Sequence, residues 1–267
     1  MKLAVQENLL PGADASAKWD AARRLGFDGV ELRGTSGPDL TARLPELRAA
    51  RKAGAVFPSI CVISDRFIGD WDADRRAEAL ATMKDLLSVA GEMGARGAVT
   101  PASYGMHFNY LPPFTPRRDA AGDRAILTDM LGQLGDHAKA EGVFVLLEPL
   151  NRYEDHMLNT LAQGVELLGA LGHGSVKLMA DLYHMNIEEA DGVTALRDAA
   201  PHVAHVHLAD SNRQVPGRGH VRFAPAFAAL RETGFDGACA IECIPPEDGE
   251  AGLAAALSCL KSAAKGA

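Results

Sequence analysis

Cysteine is scarce in this chain: four in 267 residues, at Cys61, Cys239, Cys243 and Cys259, with no C-x-x-C pair among them. That excludes a disulfide scaffold and a thiolate zinc site, and it implies reduced thiols in a cytoplasmic protein. Long apolar runs are also missing. No stretch approaches the roughly 18 uninterrupted apolar residues of a membrane span. The opening Met1-Lys2-Leu3-Ala4-Val5 lacks the apolar segment of a signal peptide. Basic runs are absent as well: the formal net charge is -8, Lys and Arg are scattered, and Arg117-Arg118 is only a short pair. A nucleic-acid binder carries a basic face, so neither nucleic acid nor membrane is an expected partner. No G-x-G-x-x-G follows the first apolar run, which removes the usual sign of a dinucleotide site; Pro216-Gly217-Arg218-Gly219 comes late and does not fit that motif.

What is present is ordinary soluble material, 47% hydrophobic and 23% charged. It is arranged as a rhythm of short β-rich runs followed by amphipathic stretches. Candidate strands are Lys2–Gln6, Gly29–Leu32, Ala55–Val62, Gly97–Pro101, Val143–Leu147, Val176–Ala180, Val203–Leu208 and Ala238–Cys243. Helical spacing fills the intervals, at Ala15–Leu25, Leu40–Ala53, Arg75–Met93, Ala120–Glu141, Leu158–Leu171, Val193–Asp198, Ala224–Thr233 and Glu250–Lys261. Two copies of Gly-Phe-Asp-Gly, at residues 26–29 and 234–237, mark equivalent joints before the second and eighth strands. Glycine there suits a helix C-cap. Alternation of this kind implies a parallel sheet. Eight units, and a length close to the typical ~250 residues of such a fold, favour an α/β single-domain (β/α)8 TIM barrel spanning 1–267. The loop 103–117, rich in aromatics and proline and carrying His107, is the most irregular stretch.

In such barrels functional groups sit at the C-terminal ends of the strands. The last four candidate strands each end in a metal-ligand type: Glu148, Asp181, His207 and Glu242. A lone acid in an apolar strand is as well explained by a buried ion pair. Four ligand types on consecutive strand ends are better explained by a cation that satisfies them together. Three carboxylates and an imidazole suit one divalent metal ion, Mn2+ foremost, with Mg2+, Co2+ or Zn2+ tolerated. His205, two residues before His207 on the same strand face, belongs one layer deeper, and Cys243 reads as core packing. Trp19 and Trp71 read as packing or loop residues.

The segments around these residues resemble a known family. Leu147-Glu148-Pro149-Leu150-Asn151-Arg152-Tyr153-Glu154 resembles the fifth-strand motif of the ketose 3-epimerases, and Asp181-Leu182-Tyr183-His184-Met185-Asn186-Ile187-Glu188-Glu189 their D-x-x-H-M-N-I-E-E segment. His207-Leu208-Ala209-Asp210-Ser211-Asn212-Arg213 resembles their seventh-strand motif, and Glu242 stands where their eighth-strand glutamate would stand. The wider group is the xylose isomerase-like TIM barrel superfamily, with hydroxypyruvate and inosose isomerases, dehydratases and endonuclease IV. The match is strong in the C-terminal half. In the N-terminal half it is confined to the β/α rhythm, and the regions Ser59–Trp71 and Ser103–Phe114 depart from the epimerase pattern.

The resemblance implies metal ligation by Glu148, Asp181, His207 and Glu242, and acid–base roles for Glu148 and Glu242. It implies that Glu154, His184 and Arg213 hold the hydroxyls and carbonyl of a small sugar or keto-polyol. Expected chemistry is proton transfer through an enediolate, giving isomerisation or epimerisation. An inosose or polyol dehydratase is the alternative on the same constellation. An endonuclease IV-type enzyme would need extra histidines after strands two to four and a D-x-H in the seventh loop, where Asn212-Arg213-Gln214-Val215-Pro216 stands instead. A non-catalytic sugar-binding barrel would leave the acids without a purpose. A homo-oligomer is compatible with the sequence.

Overall fold

A short strand that is apolar on both faces must be covered on both, and a helix after each strand supplies one cover while closure of the sheet supplies the other. The computed structural model describes residues 1–35, 37–106 and 117–266. Its strands are β1 (Lys2–Gln6), β2 (Gly29–Gly34), β3 (Ile60–Val62), β4 (Gly97–Pro101), β5 (Phe144–Glu148), β6 (Val176–Asp181), β7 (Val203–Leu208) and β8 (Ala238–Ile241). They form a closed barrel in sequence order, sealed by β8 pairing in parallel with β1, Lys2 opposite Ala238. The helices are α1 (Ala15–Leu25), α2 (Gly37–Ala42), α3 (Leu44–Lys52), α4 (Ala73–Met93), α5 (Ala120–Glu141), α6 (Leu161–Leu171), α7 (Leu182–Glu188), α8 (Gly192–Ala199), α9 (Phe223–Glu232) and α10 (Glu250–Lys265). The (β/α)8 barrel expected from the rhythm is therefore the fold observed. None of the helices among the described residues is long and apolar enough to cross a membrane. His107 and residues 107–116 of the irregular loop lie outside the described residues.

The main core lies between the strands and the helical ring and includes Leu32, Leu47, Leu87, Leu134, Phe227 and Leu260, all buried. Each such side chain contributes about 1.5–3 kcal/mol on burial. A second, smaller apolar cluster of Cys61, Val99, Leu146, Met179 and Ala204 is separate from it. The paired joints behave alike. Gly26 and Gly234 take positive φ, 94° and 75°, a conformation in which a Cβ is strained.

Three local departures from the sequence pattern have physical causes. The helix expected over Leu40–Ala53 breaks at Arg43, because Pro45 in the first turn of α3 has no N–H for a continuous ladder. The third strand shrinks from Ala55–Val62 to Ile60–Val62, Pro58 again removing a donor. Helix α7 is additional. It starts because the Asp181 carboxylate accepts from the backbone N–H groups of Tyr183 (2.6 Å) and His184 (3.3 Å).

Candidate metal centre and cavity

Alternation along a strand sends every second side chain into the barrel, and at the C-terminal end the last of these reach the mouth. Glu148 and Asp181 close β5 and β6, His207 is the penultimate residue of β7, and Glu242 follows β8 with its N–H on the Leu208 carbonyl at 3.1 Å. Asp181 and His207 are direct partners in the β6–β7 ladder. One donor atom from each of Glu148, Asp181, His207 and Glu242 lies within 4.8 Å of the others, the first three side chains buried and Glu242 half-buried. The structure thus brings together all four residues singled out as candidate ligands.

Two atoms in this group are buried without a hydrogen-bond partner among the described residues: Glu148 Oε1 and His207 Nδ1. His207 Nδ1 stands 3.2 Å from Glu242 Oε2 and 3.9 Å from Glu148 Oε1, in neither case with hydrogen-bond geometry. Orphaned buried donors and acceptors are costly, and a divalent cation among them would satisfy both. The residues present therefore fit such an ion.

The surrounding charges are arranged unevenly. Burial pushes Glu148 well above the usual carboxylate range; His207 opposes this, and neighbouring Glu242 and Asp181 add to the rise. Burial would raise Glu242 too, but His207 and the Arg213 guanidinium outweigh it and hold its carboxyl well below that range. Arg213 donates to Glu242 Oε2 at 2.6 Å and to Asp181 Oδ2 at 2.9 Å, and its guanidinium lies 4.5 Å over the Tyr183 ring. Among the described residues, it is the one non-glycine with positive φ, 61°. Such backbone strain persists where the surroundings over-determine it. Here Arg213 N–H donates to Asp210 and its carbonyl accepts from Ile244, both at 2.9 Å.

A cavity of about 250 Å³ opens over the cluster. Glu154, His184 and Arg213 line it together with Glu148 and Glu242. His184 Nδ1 accepts from the backbone N–H (3.1 Å) and side-chain amide (2.8 Å) of Asn151. That places the imidazole proton on Nε2, the nitrogen nearer Asp181 and Glu148. Burial holds His184 below its ordinary pKa, so the ring is a neutral donor. The same Asn151 amide donates to Glu154 Oε1 at 3.0 Å, fixing that carboxylate as well. Trp71 sits against packing partners, 4.7 Å beneath the Arg117 guanidinium and 5.9 Å from the His156 ring.

Several functional candidates were not singled out from sequence. Arg33 and Cys61 line the cavity. The Arg33 guanidinium has no hydrogen bond or ion pair among the described residues, and its Nε is buried. Gln6, Glu31 and Ser59 form a hydrogen-bonded layer beneath the cluster with His205. The signal was available. In Gly29-Val30-Glu31-Leu32-Arg33, parity places the acid and the base on one face of an otherwise apolar strand.

A family model described as xylose isomerase-like TIM barrel matches residues 19–263. The chain is 36% identical over 238 residues to 3-dehydro-D-guloside 4-epimerase of Escherichia coli (strain K12), covering 89% of this chain and 90% of that protein. The apo crystal structure of 3-keto-D-glucoside 4-epimerase from E. coli superposes with a TM-score of 0.92 at 35% identity, over 98% of this chain and 99% of that one. D-psicose 3-epimerase from Clostridium cellulolyticum H10, in a crystal structure with D-tagatose, gives a TM-score of 0.82 at 25% identity and covers 99% of each chain.

Proposed function

The chain belongs to the xylose isomerase-like TIM barrel family, and from that membership and the buried donor cluster we propose that it is a divalent-metal-dependent epimerase of keto-sugars. The carrying observation is the pair of unpartnered buried atoms, Glu148 Oε1 and His207 Nδ1, inside a group of four ligand types. Glu148, Asp181, His207 and Glu242 would hold the ion, and the oxygen-rich set favours Mn2+. When bound, such an ion supplies a Lewis acid for the carbonyl and neighbouring hydroxyl oxygens of the sugar.

The names of the relatives point to one reaction. In a 3-keto sugar the carbon at position 4 adjoins the ketone, and in a 2-ketose the carbon at position 3 does. Both epimerisations remove and return a proton α to a carbonyl. Glu242, whose carboxylate the Arg213 guanidinium steadies at 2.6 Å, is the base in one direction. Glu148 is the partner acid, returning a proton from the other side. The His184 Nε2–H and the Arg213 guanidinium steady sugar oxygens, and Glu154 accepts from a hydroxyl. Arg33, on the cavity wall and without an ion-pair partner among the described residues, holds the far end of the sugar. The epimerase names of the relatives favour epimerisation over dehydration.

The test is a reaction in D2O with a 3-keto glycoside and, separately, a 2-ketose. Deuterium is expected at the inverted carbon of the product, read by NMR, since a carboxylic acid exchanges its proton with water. Product and recovered substrate that both stay free of deuterium over many turnovers would remove Glu148 and Glu242 from proton transfer. Arg33→Ala is expected to raise KM about tenfold with kcat changed less than about twofold, the mark of a contact made equally in ground and transition states. Steady-state kinetics check this; an unchanged KM sinks the role given to Arg33.

A further inference from the structure

We propose that Glu31 is the positioning residue of the metal centre: it fixes His207 with its proton on Nε2, leaving Nδ1 as the donor atom, and steadies Glu242 through Gln6. This rests on the reading that Glu148, Asp181, His207 and Glu242 hold an ion.

Glu31 lies in the middle of β2, fully buried, and reaches across the barrel to β7. Its carboxylate accepts from Ser59 Oγ (2.6 Å), His205 Nε2 (2.8 Å), Gln6 Nε2 (3.0 Å) and His207 Nε2 (3.0 Å). An ionised carboxylate only accepts, so each imidazole turns an N–H toward it. With Nε2 committed, the orphaned Nδ1 of His207 faces Glu148 and Glu242. The opposite tautomer would set a nitrogen lone pair against the Glu31 carboxylate and an N–H against the ion.

The Gln6 amide adds a second tie. Its Nε2 donates both to Glu31 Oε1 (3.0 Å) and to Glu242 Oε1 (2.9 Å). Glu242 Oε2 is thereby left toward His207 and Arg213. Two of the four ligand side chains thus take their orientation from one buried carboxylate. A second ion among Glu31, His205 and His207 is not needed to explain these contacts. Each is a hydrogen-bond distance with a proton to fill it. Carboxylate partners of metal-bound histidines orient the ring and raise its basicity, and losing them costs about 10–100-fold in metal affinity.

The experiment has two arms. Metal-stripped wild type and Glu31→Gln are titrated with Mn2+, free ion being read by EPR, with thermal melting on the same samples. Glu31→Gln is expected to bind about 10–100-fold more weakly while melting in one cooperative transition. The second arm uses wild-type protein labelled with 15N-histidine and loaded with Zn2+. His207 is expected to carry a hydrogen-bonded proton on Nε2 and a metal-shifted Nδ1, a signature that packing alone would not produce. This arm needs no variant and stands even if Glu31→Gln does not fold. Equal Mn2+ affinity in a folded Glu31→Gln, or a proton on Nδ1 with Nε2 toward the ion, overturns the proposal alone. Wild type that takes up no ion overturns the metal reading, and this proposal with it.

Discussion

Glu242→Gln is expected to lower kcat by about 10²–10⁴-fold, the range associated with loss of a positioned general base. The amide keeps the length and shape of the side chain and still fits beside Gln6, Cys61 and Arg213. It cannot take a proton from carbon. It also weakens one of the four oxygen and nitrogen donors, so ion content must be measured on the same samples that are assayed. With the ion restored by excess Mn2+, the loss is expected to persist, which separates proton transfer from metal binding. Glu148→Gln is expected to behave alike in turnover. A Glu242→Gln protein that is fully loaded and turns over at a near-native rate would show that the base lies elsewhere.

Removal of the ion is expected to have the second large effect. Dialysis against a chelator should cut activity by about 10³-fold or more, since a Lewis acid supplies several kcal/mol of transition-state stabilisation and each 1.4 kcal/mol is tenfold. Mn2+ should restore it. The fold should survive, because the main core between strands and helices does not involve the cluster. Arg213 also offers a fixed positive charge to Asp181 and Glu242, at 2.9 and 2.6 Å, when no ion is there. Circular dichroism and melting on the stripped protein check this. Full activity at a metal content below one per hundred chains would defeat the reading.

Much of this was legible in the residues, and the part that was not has a common cause. Glu148, Asp181, His207 and Glu242 stood out because each ends its own candidate strand, and the order of strands around a barrel follows the order in sequence. The separation of His205 from His207 followed from parity, and the structure places His205 below, fully buried on Glu31. The layer beneath was hidden. Glu31 meets His207 across 176 positions of sequence, on strands that are not neighbours, and only closure of the barrel brings them together. Arg33 escaped for a related reason: strand two offers no ligand type at its end, so its inward face drew no attention. Helix α7 was overlooked because Asp181 carries two duties. One carboxylate oxygen caps the helix while the other faces Arg213, and the sequence pointed only to metal ligation for this residue.

The barrel interior is divided, and the division makes its two central glutamates unlike. Glu242 is gripped by Gln6, Cys61 and Arg213. Glu148 lies two residues beyond Leu146 on the same face of β5, above the apolar cluster with Val99 and Met179, and one of its oxygens has no partner. Inversion of a carbon looks symmetrical on paper, each acid giving in one direction what it takes in the other. In these surroundings the two directions begin from different distributions of charge. If the proposed two-glutamate inversion holds, the slow, isotope-sensitive step need not be the same going out as coming back, while the equilibrium between the two epimers is untouched.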